Sequence, residues 1–188
     1  MFVDEGGLLL TPHVRRTWTL IGQTPQLVHR ARHSRKVSAI GAITISPQRR
    51  RLSSFVRLHA EESIRSRQVL RFLQQIRRHV RGPMIVLFDN LQAHRSLLVK
   101  RWAARRGDVF LEHLPPYTPE LNAVESLWCH AKCHRLANYC PNDVSELHAH
   151  AQLTFADYHS DQRLLKAFVQ HTDLPLSWRP RLFQPTAQ

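Results

Sequence analysis

Three features of the 188-residue sequence predict an α/β fold with an open, mixed sheet. Up to Ala60 the chain reads as strand after strand, without a helical period. Between Ser63 and Arg81 the apolar spacing switches to the helical pattern. Directly afterwards, "PMIVLFD" is an unbroken apolar run ending at Asp89, as expected of a strand covered on both faces.

Taken in order, "MFVDE" is a short apolar run that ends in acids. Gly6-Gly7 and "LLL" follow, and Pro12 stops the segment. This predicts two strands joined by a tight glycine turn. "TWTLIG" and "QTPQLVHR" read as short extended pieces. "KVSAIGAITI" and "RLSSFVRLHA" read as antiparallel strands with "SPQRRR" as their turn. In "SIRSRQVLRFLQQIRRHVR", Val69, Phe72, Leu73, Ile76 and Val80 share one helical face, Arg67, Arg71 and Arg78 lie opposite, and Ser63 is the expected N-cap. After the "MIVLF" strand come a helix in "RSLLVKRWAARR", a strand in "VFLEHL", and helices from Asn122 to about His171. Residues 1–172 are expected to form one domain, and residues 173–188 an irregular proline-rich tail.

A hydrophobic content of 43% fits a folded core rather than a disordered chain. The 27 Lys and Arg against 14 Asp and Glu give a net charge of +13 spread along the chain, which points to a polyanionic partner, above all nucleic acid. No apolar run is long enough to span a bilayer, and no basic amphipathic anchor stands out, so no membrane partner is expected. Cys129, Cys133 and Cys140, an odd number in one region, argue against a secreted disulfide framework, and Asp4 and Glu5 sit where a signal peptide is basic. A reducing cytoplasm, with the protein on the nucleoid, is the expected compartment.

Three acids stand where structure alone rarely puts them. Asp4 is near the end of the first strand, Asp89 ends the buried strand, and Glu125 is in the first turn of a helix. Ligands bind at the carboxyl ends of strands in open α/β sheets. If the strands that carry Asp4 and Asp89 are neighbours, their carboxylates converge and repel unless a cation lies between them. Oxygen ligands without histidine or thiol suit Mg²⁺ or Mn²⁺. Each acid also has a plainer reading. Asp4 and Asp89-Asn90 suit turns, and with Asn122 as N-cap, "NAVE" fits a capping box closed by Glu125.

The blocks "FVDEGGLLL…P…RRTW…GQTP", "VLFDNLQAHRS" and "LPPYTPELNAVESLW…AK" resemble the catalytic domain of bacterial insertion-sequence transposases related to mariner, in the DDE superfamily. The resemblance runs from Phe2 to about Leu136. It implies a ribonuclease H-like fold, a mixed five-stranded sheet flanked by helices. It also implies Asp4, Asp89 and Glu125 as catalytic and metal-holding residues, two Mg²⁺ or Mn²⁺ ions, and cleavage and joining of double-stranded DNA. Insertion at TA dinucleotides and action as a homodimer on DNA belong to the same implication. The 35 residues between Asp89 and Glu125 are a spacing of the family's kind. Ala123 stands where the family usually has proline.

Only Met1, Phe2 and Val3 precede Asp4, whereas the family has a longer first strand and an N-terminal DNA-binding region. This predicts an incomplete central strand, a missing helix-turn-helix supplied by an upstream region or frame, and unspecific nicking by residues 1–188 alone. A DNA-binding remnant without catalysis and a stand-alone nuclease of the same fold are the alternatives.

Asn90 and His94 match the family's block after the second acid, and Lys132 lies two turns beyond Glu125 on nearly the same face. A DNA-phosphate contact and a solvated lysine are both open for Lys132. The basic loop "HRARHSRK", with Arg30, Arg32, Arg35 and Lys36, is of the kind that tracks a phosphate backbone. Trp128 is expected in the core. "CHAKCH" has three residues between its cysteines, not the two of a c-type haem site, and no second pair is spaced to close a zinc site. One "PPYTP" between a strand and a helix is a poor ligand for a proline-binding domain.

Overall fold

The structure, a computed structural model, describes residues 1–28, 35–89 and 96–176. Five strands form one sheet in the order β3-β2-β1-β4-β5: β1 (Phe2–Leu9), β2 (Lys36–Ile45), β3 (Leu52–Ala60), β4 (Met84–Phe88) and β5 (Val109–His113). β1, β2 and β3 pair antiparallel, while β4 lies parallel to both β1 and β5. The helices are α1 (Ser66–His79), α2 (Leu97–Arg106), α3 (Ala123–His130), α4 (Val144–Tyr158) and α5 (Gln162–Gln170). Among the described residues no helix is long and apolar enough to cross a membrane.

The two-residue period of the strands divides the core. Phe2, Val37, Ala39 and Ile43 pack with Val124, Leu127 and Trp128 of α3 and with Phe155 and Leu165 of α4 and α5. Val3, Ile40, Ala42 and Val86 pack on the other face with Val69, Phe72, Leu73 and Ile76 of α1 and Val99 of α2. Burying each of the four α1 side chains contributes about 2 kcal/mol, which holds this arginine-rich helix on the sheet.

Several expectations change. Gly6 and Gly7 do not turn the chain: β1 is one eight-residue strand, paired with β2 from Phe2 through Leu9. Asp4 is therefore its third residue rather than near its end, and the strand gains its length beyond Asp4, so the expected incomplete central strand is not what forms. The parallel ladder also begins at the first residue. The Met1 amino group donates to the Ile85 carbonyl at 2.9 Å, and the Leu87 N–H to the Met1 carbonyl at 2.8 Å. Helix α1 starts after Arg65, whose N–H donates to the Gln68 side chain at 3.2 Å, so Ser63 is not the cap. "TWTLIG" and the described part of "QTPQLVHR" form no strand; Trp18 and Ile21 are fully exposed at 99% and 105%. Residues 173–176 have no helix or strand, as expected, but Leu174 and Leu176 pack against the core. The rest of the tail lies outside the described residues.

Candidate active site

The sheet order reverses between β1 and β4: β2 and β3 extend it to one side, β5 to the other. Such a switch point opens a crevice at the carboxyl ends of its two strands. The Phe2–Leu87 pairing, continued by two residues, sets Asp4 level with Asp89, one residue past the end of β4. Asp4 shares the sheet face of Phe2 and Leu8, the face covered by α3.

Glu125 reaches the same crevice along a stiff connection. The Leu114 N–H extends the β4–β5 ladder to the Phe88 carbonyl at 2.7 Å. Pro115, Pro116 and Pro119 then restrict the chain, and the Thr118 hydroxyl donates to the Pro115 carbonyl at 2.8 Å. Buried Asn122 ends the lead-in. Its side-chain oxygen accepts from the Val124 N–H at 3.1 Å, and its side-chain amide donates to the Val3 carbonyl at 3.2 Å. One residue thus caps α3 and ties it to the strand that carries Asp4.

The capping box does not form. The Asn122 N–H that Glu125 would have to accept donates instead to the Pro119 carbonyl at 2.9 Å. The exposed Glu125 carboxylate faces a cleft of about 410 Å³, which it lines with Asp4, Asp89, Leu114, Tyr117 and Asn122 among others. Glu125→Gln is therefore expected to change stability by less than about 0.5 kcal/mol. Asn122→Ala, losing the cap and orphaning the Val3 carbonyl, costs about 2–3 kcal/mol. Urea unfolding of both variants checks this; equal losses would restore Glu125 as a cap.

Asp4 is only 5% exposed. Burial, then the negative charges of Glu125 and Asp89, push its carboxyl up to about 7; hydrogen bonds from the Glu5 N–H and the Trp128 indole pull the other way. The Trp128 Nε1 donates to Asp4 Oδ2 at 3.1 Å. The indole lies flat across the sheet because two glycines leave it room. A Cβ on Gly6 would stand 3.0 Å from the ring, and one on Gly41, the residue paired with Asp4, 2.8 Å. Phe155 closes over it edge-on at 5.6 Å between centroids. Trp128 is a core residue, as expected, but it also orients a carboxylate. The pointers were Gly6 on the face of Asp4 and a tryptophan one helical turn after Glu125.

Residues 1–148 match the model of a protein family, the DDE superfamily endonucleases. The chain belongs to that family. No curated protein matches this DDE endonuclease in sequence. Its fold is that of the mariner transposase Mos1, and so ribonuclease H-like. The Mos1 strand transfer complex aligns with a TM-score of 0.62 at 17% identity, over 90% of this chain and 50% of that one. The Mos1 mariner paired-end complex with Mn gives 0.60 at 17% identity, over 90% and 52%. The catalytic domain of Mos1 mariner transposase gives 0.53 at 14% identity, over 90% and 78%. This DDE endonuclease chain thus spans about half the length of the first two proteins.

The remaining expected site residues fare differently. Asn90, His94, Arg30 and Arg32 lie outside the described residues. Arg35 pairs with Glu61 at 3.0 Å, and Lys36 is exposed at the start of β2; neither is among the described residues lining the carboxylate cleft. Nor is Lys132, which is half-buried at the start of a wide π-helical turn, Ala131–Arg135, close enough to act on the Cys129 thiol. In "CHAKCH" the Cys129 and Cys133 sulfurs are 3.9 Å apart, and His13 Nε2 is 3.5 Å from Cys133 Sγ. Among the described residues no three acidic, histidine or cysteine side chains are drawn round one point as a ready metal cage.

Proposed function

We propose that this DDE endonuclease is the catalytic domain of an insertion-sequence transposase, residues 1–172 forming the domain, and that Asp4, Asp89 and Glu125 carry its chemistry. The observation that supports this most is the meeting of the three carboxylates in one cleft at the switch point, where burial, with the charges of Glu125 and Asp89 added to it, pushes Asp4 up to about 7. That accumulated charge fits a hard divalent cation, as does an all-oxygen donor set. The Mos1 paired-end complex solved with Mn is in keeping with such a site.

Asp4, within β1, and Asp89, just past the end of β4, would hold Mg²⁺ or Mn²⁺ between them, and Glu125 would complete a second position. Bound there, a pair of ions supplies charge neutralisation on the scissile phosphate and activation of the attacking oxygen. The chain's own part is to hold three carboxylates in register through Trp128 and Asn122 and to admit a phosphodiester to the cleft. Water attacks phosphorus, the bond to the 3′ oxygen breaks, and a 3′-OH and a 5′-phosphate result. The freed 3′-OH then attacks a phosphodiester of target DNA and displaces its 3′ oxygen.

Exposed Arg35 and Lys36, with Arg30 and Arg32 of the same basic stretch of sequence, would bind the duplex backbone. Exposed Trp18 and Ile21 offer an apolar surface to a second copy in a homodimer on DNA, with an upstream helix-turn-helix region reading the element ends in the cytoplasm. Incubating the chain with supercoiled plasmid and with element-end duplex tests the reading. Nicking in Mg²⁺ or Mn²⁺, abolished by chelation, is expected, and joining of the new 3′-OH end separates a transposase from a nuclease. Duplex affinity should fall at least tenfold between 50 and 200 mM salt, because phosphate contacts release counterions. A flat salt response, or no nicking in either metal, would count against the assignment.

A further inference from the structure

β3 is an outer strand of the sheet, and its free side is only partly closed. The Ser46 N–H donates to the Arg51 carbonyl at 2.9 Å and the Glu61 N–H to the Lys36 carbonyl at 3.1 Å. These bonds bracket the ladder to β2. The odd-numbered residues of β3 therefore pair with β2, and the even-numbered ones turn their N–H and carbonyl outward. Side chains at the junction of α4 and α5 take up the first of these. The Gln162 amide accepts from the Leu52 N–H at 2.9 Å and donates to the Leu52 carbonyl at 2.7 Å, as a neighbouring strand would. His159 Nδ1 donates to the Ser54 carbonyl. Among the described residues nothing bonds to the outward groups of Val56 and Leu58. Sheet edges left open in this way invite a further strand.

The open stretch is the floor of a groove of about 530 Å³ between α1 and α4. Ser54, only 2% exposed, lines it with a hydroxyl that has no hydrogen-bond partner. We propose that this groove is the docking site for an extended acidic segment of a partner protein, which adds to β3 as a further strand. A strand offers both N–H and carbonyl groups, the complement of Val56 and Leu58, whereas a phosphate backbone offers acceptors alone and would leave their carbonyls unpaired. Gln75 and Ile76 of α1 and Gln152 and Phe155 of α4 wall the edge on either side. The β3 edge of a second copy would bring its own two walls against these, so a single strand is the better fit. Charge selects its sequence. Arg57, His148 and His159 line the groove and no acid does. Arg57 lies towards α1, donating to Gln75 Oε1 at 3.2 Å, while Val56 and Leu58 pack towards the core cluster that holds Phe155. The side chains of an added strand alternate in the same way, so acidic residues meet Arg57 and apolar ones meet Val56 and Leu58. The groove shares no residue with the carboxylate cleft, and docking in it is independent of what the three acids do.

Fluorescence polarisation on the full chain tests this with a labelled synthetic peptide in which glutamate and valine alternate, against the same peptide with lysine for glutamate. The glutamate form should bind, at least about tenfold more tightly than the lysine form. N-methylating one alternate set of its residues should weaken binding at least about tenfold, and methylating the other set should not, because only one set turns its N–H to β3. Val56→Pro removes an outward N–H and leaves the ladder to β2 intact, a place where edge strands accept proline, and should lose the peptide. Arg57→Glu keeps the edge and should turn the preference towards the lysine form. No binding of the glutamate peptide, equal effects of the two methylated sets, or an unchanged preference in Arg57→Glu would each overturn the proposal. So would a dimer of the chain that Val56→Pro dissolves, which would seat a second copy on this edge.

Discussion

Asp4→Asn abolishes nicking of duplex DNA in Mg²⁺ and, in the same protein, raises the stability of the metal-free chain. The two effects have one cause. Burial first, and then the charges of Glu125 and Asp89, push Asp4 from its ordinary 3.8 to about 7. Without a cation its charge is a liability, and with one it is a ligand. Asparagine keeps the shape and still accepts from the Trp128 indole, but brings no charge to the cation. Losing only a residue that supports a metal ligand costs 10–100-fold, so losing the ligand itself should cost at least about a hundredfold in rate.

The pH dependence carries the same sign. Between about pH 4 and 7 the folded metal-free protein keeps the Asp4 proton while the unfolded chain has lost it. Stability from this group is complete below about pH 4 and falls as the pH rises towards 7. Each tenfold difference in proton affinity between the folded and unfolded chain is worth about 1.4 kcal/mol, which sets a ceiling of about 4 kcal/mol on the loss. In Asp4→Asn that decline should be largely absent, and at pH 8 the variant should melt above the wild type in chelator. Mg²⁺ should raise the wild-type Tm more than that of the variant. A variant that nicks at the wild-type rate, or melts lower in chelator across the whole range, removes Asp4 from the site.

Most of the fold could be read because its strands and helices carry one-dimensional signals. "KVSAIGAITI" and "RLSSFVRLHA" pair as antiparallel strands, and the α1 face repeats at helical spacing; "MIVLF" is a strand as expected, but it is not covered on both faces, since Met84, Val86 and Phe88 are buried and Ile85 is exposed. Gly6-Gly7 misled because a glycine pair serves a turn and a close approach equally well; which one applies depends on Trp128, more than a hundred residues further along the chain. The capping box misled for a similar reason. "NAVE" has the right residues, but the preceding 3₁₀ turn at Pro119–Leu121 takes the Asn122 N–H first. The three acids were legible as residue types and in their order. The contact that orients the first of them was not, since nothing in the local sequence couples Asp4 to an indole 124 residues away.

That coupling makes Trp128→Phe the most informative change outside the carboxylates. Phenylalanine keeps much of the contact with Phe155 and the glycine floor but removes the N–H that holds Asp4 Oδ2. The missing ring volume should cost about 1–3 kcal/mol of stability, as partial core truncations do. The larger effect should be on the metal-dependent reaction, about 10–100-fold at limiting Mg²⁺ and partly recovered at saturating Mg²⁺, because an orienting partner acts through ligand affinity. The indole also lowers the Asp4 pKa, so without it the carboxyl rises further, and the pH at which nicking sets in should move upward. Gly41→Ala approaches the same bond from behind. Its Cβ would stand 2.8 Å from the indole, and since the ring sits between the sheet and Phe155, it must tilt and carry Nε1 off the carboxylate. Both variants should show the same shift in Mg²⁺ requirement and in pH profile, although one empties space and the other fills it. If they lose stability alone, with unchanged metal and pH dependence, Trp128 is a core residue and nothing more.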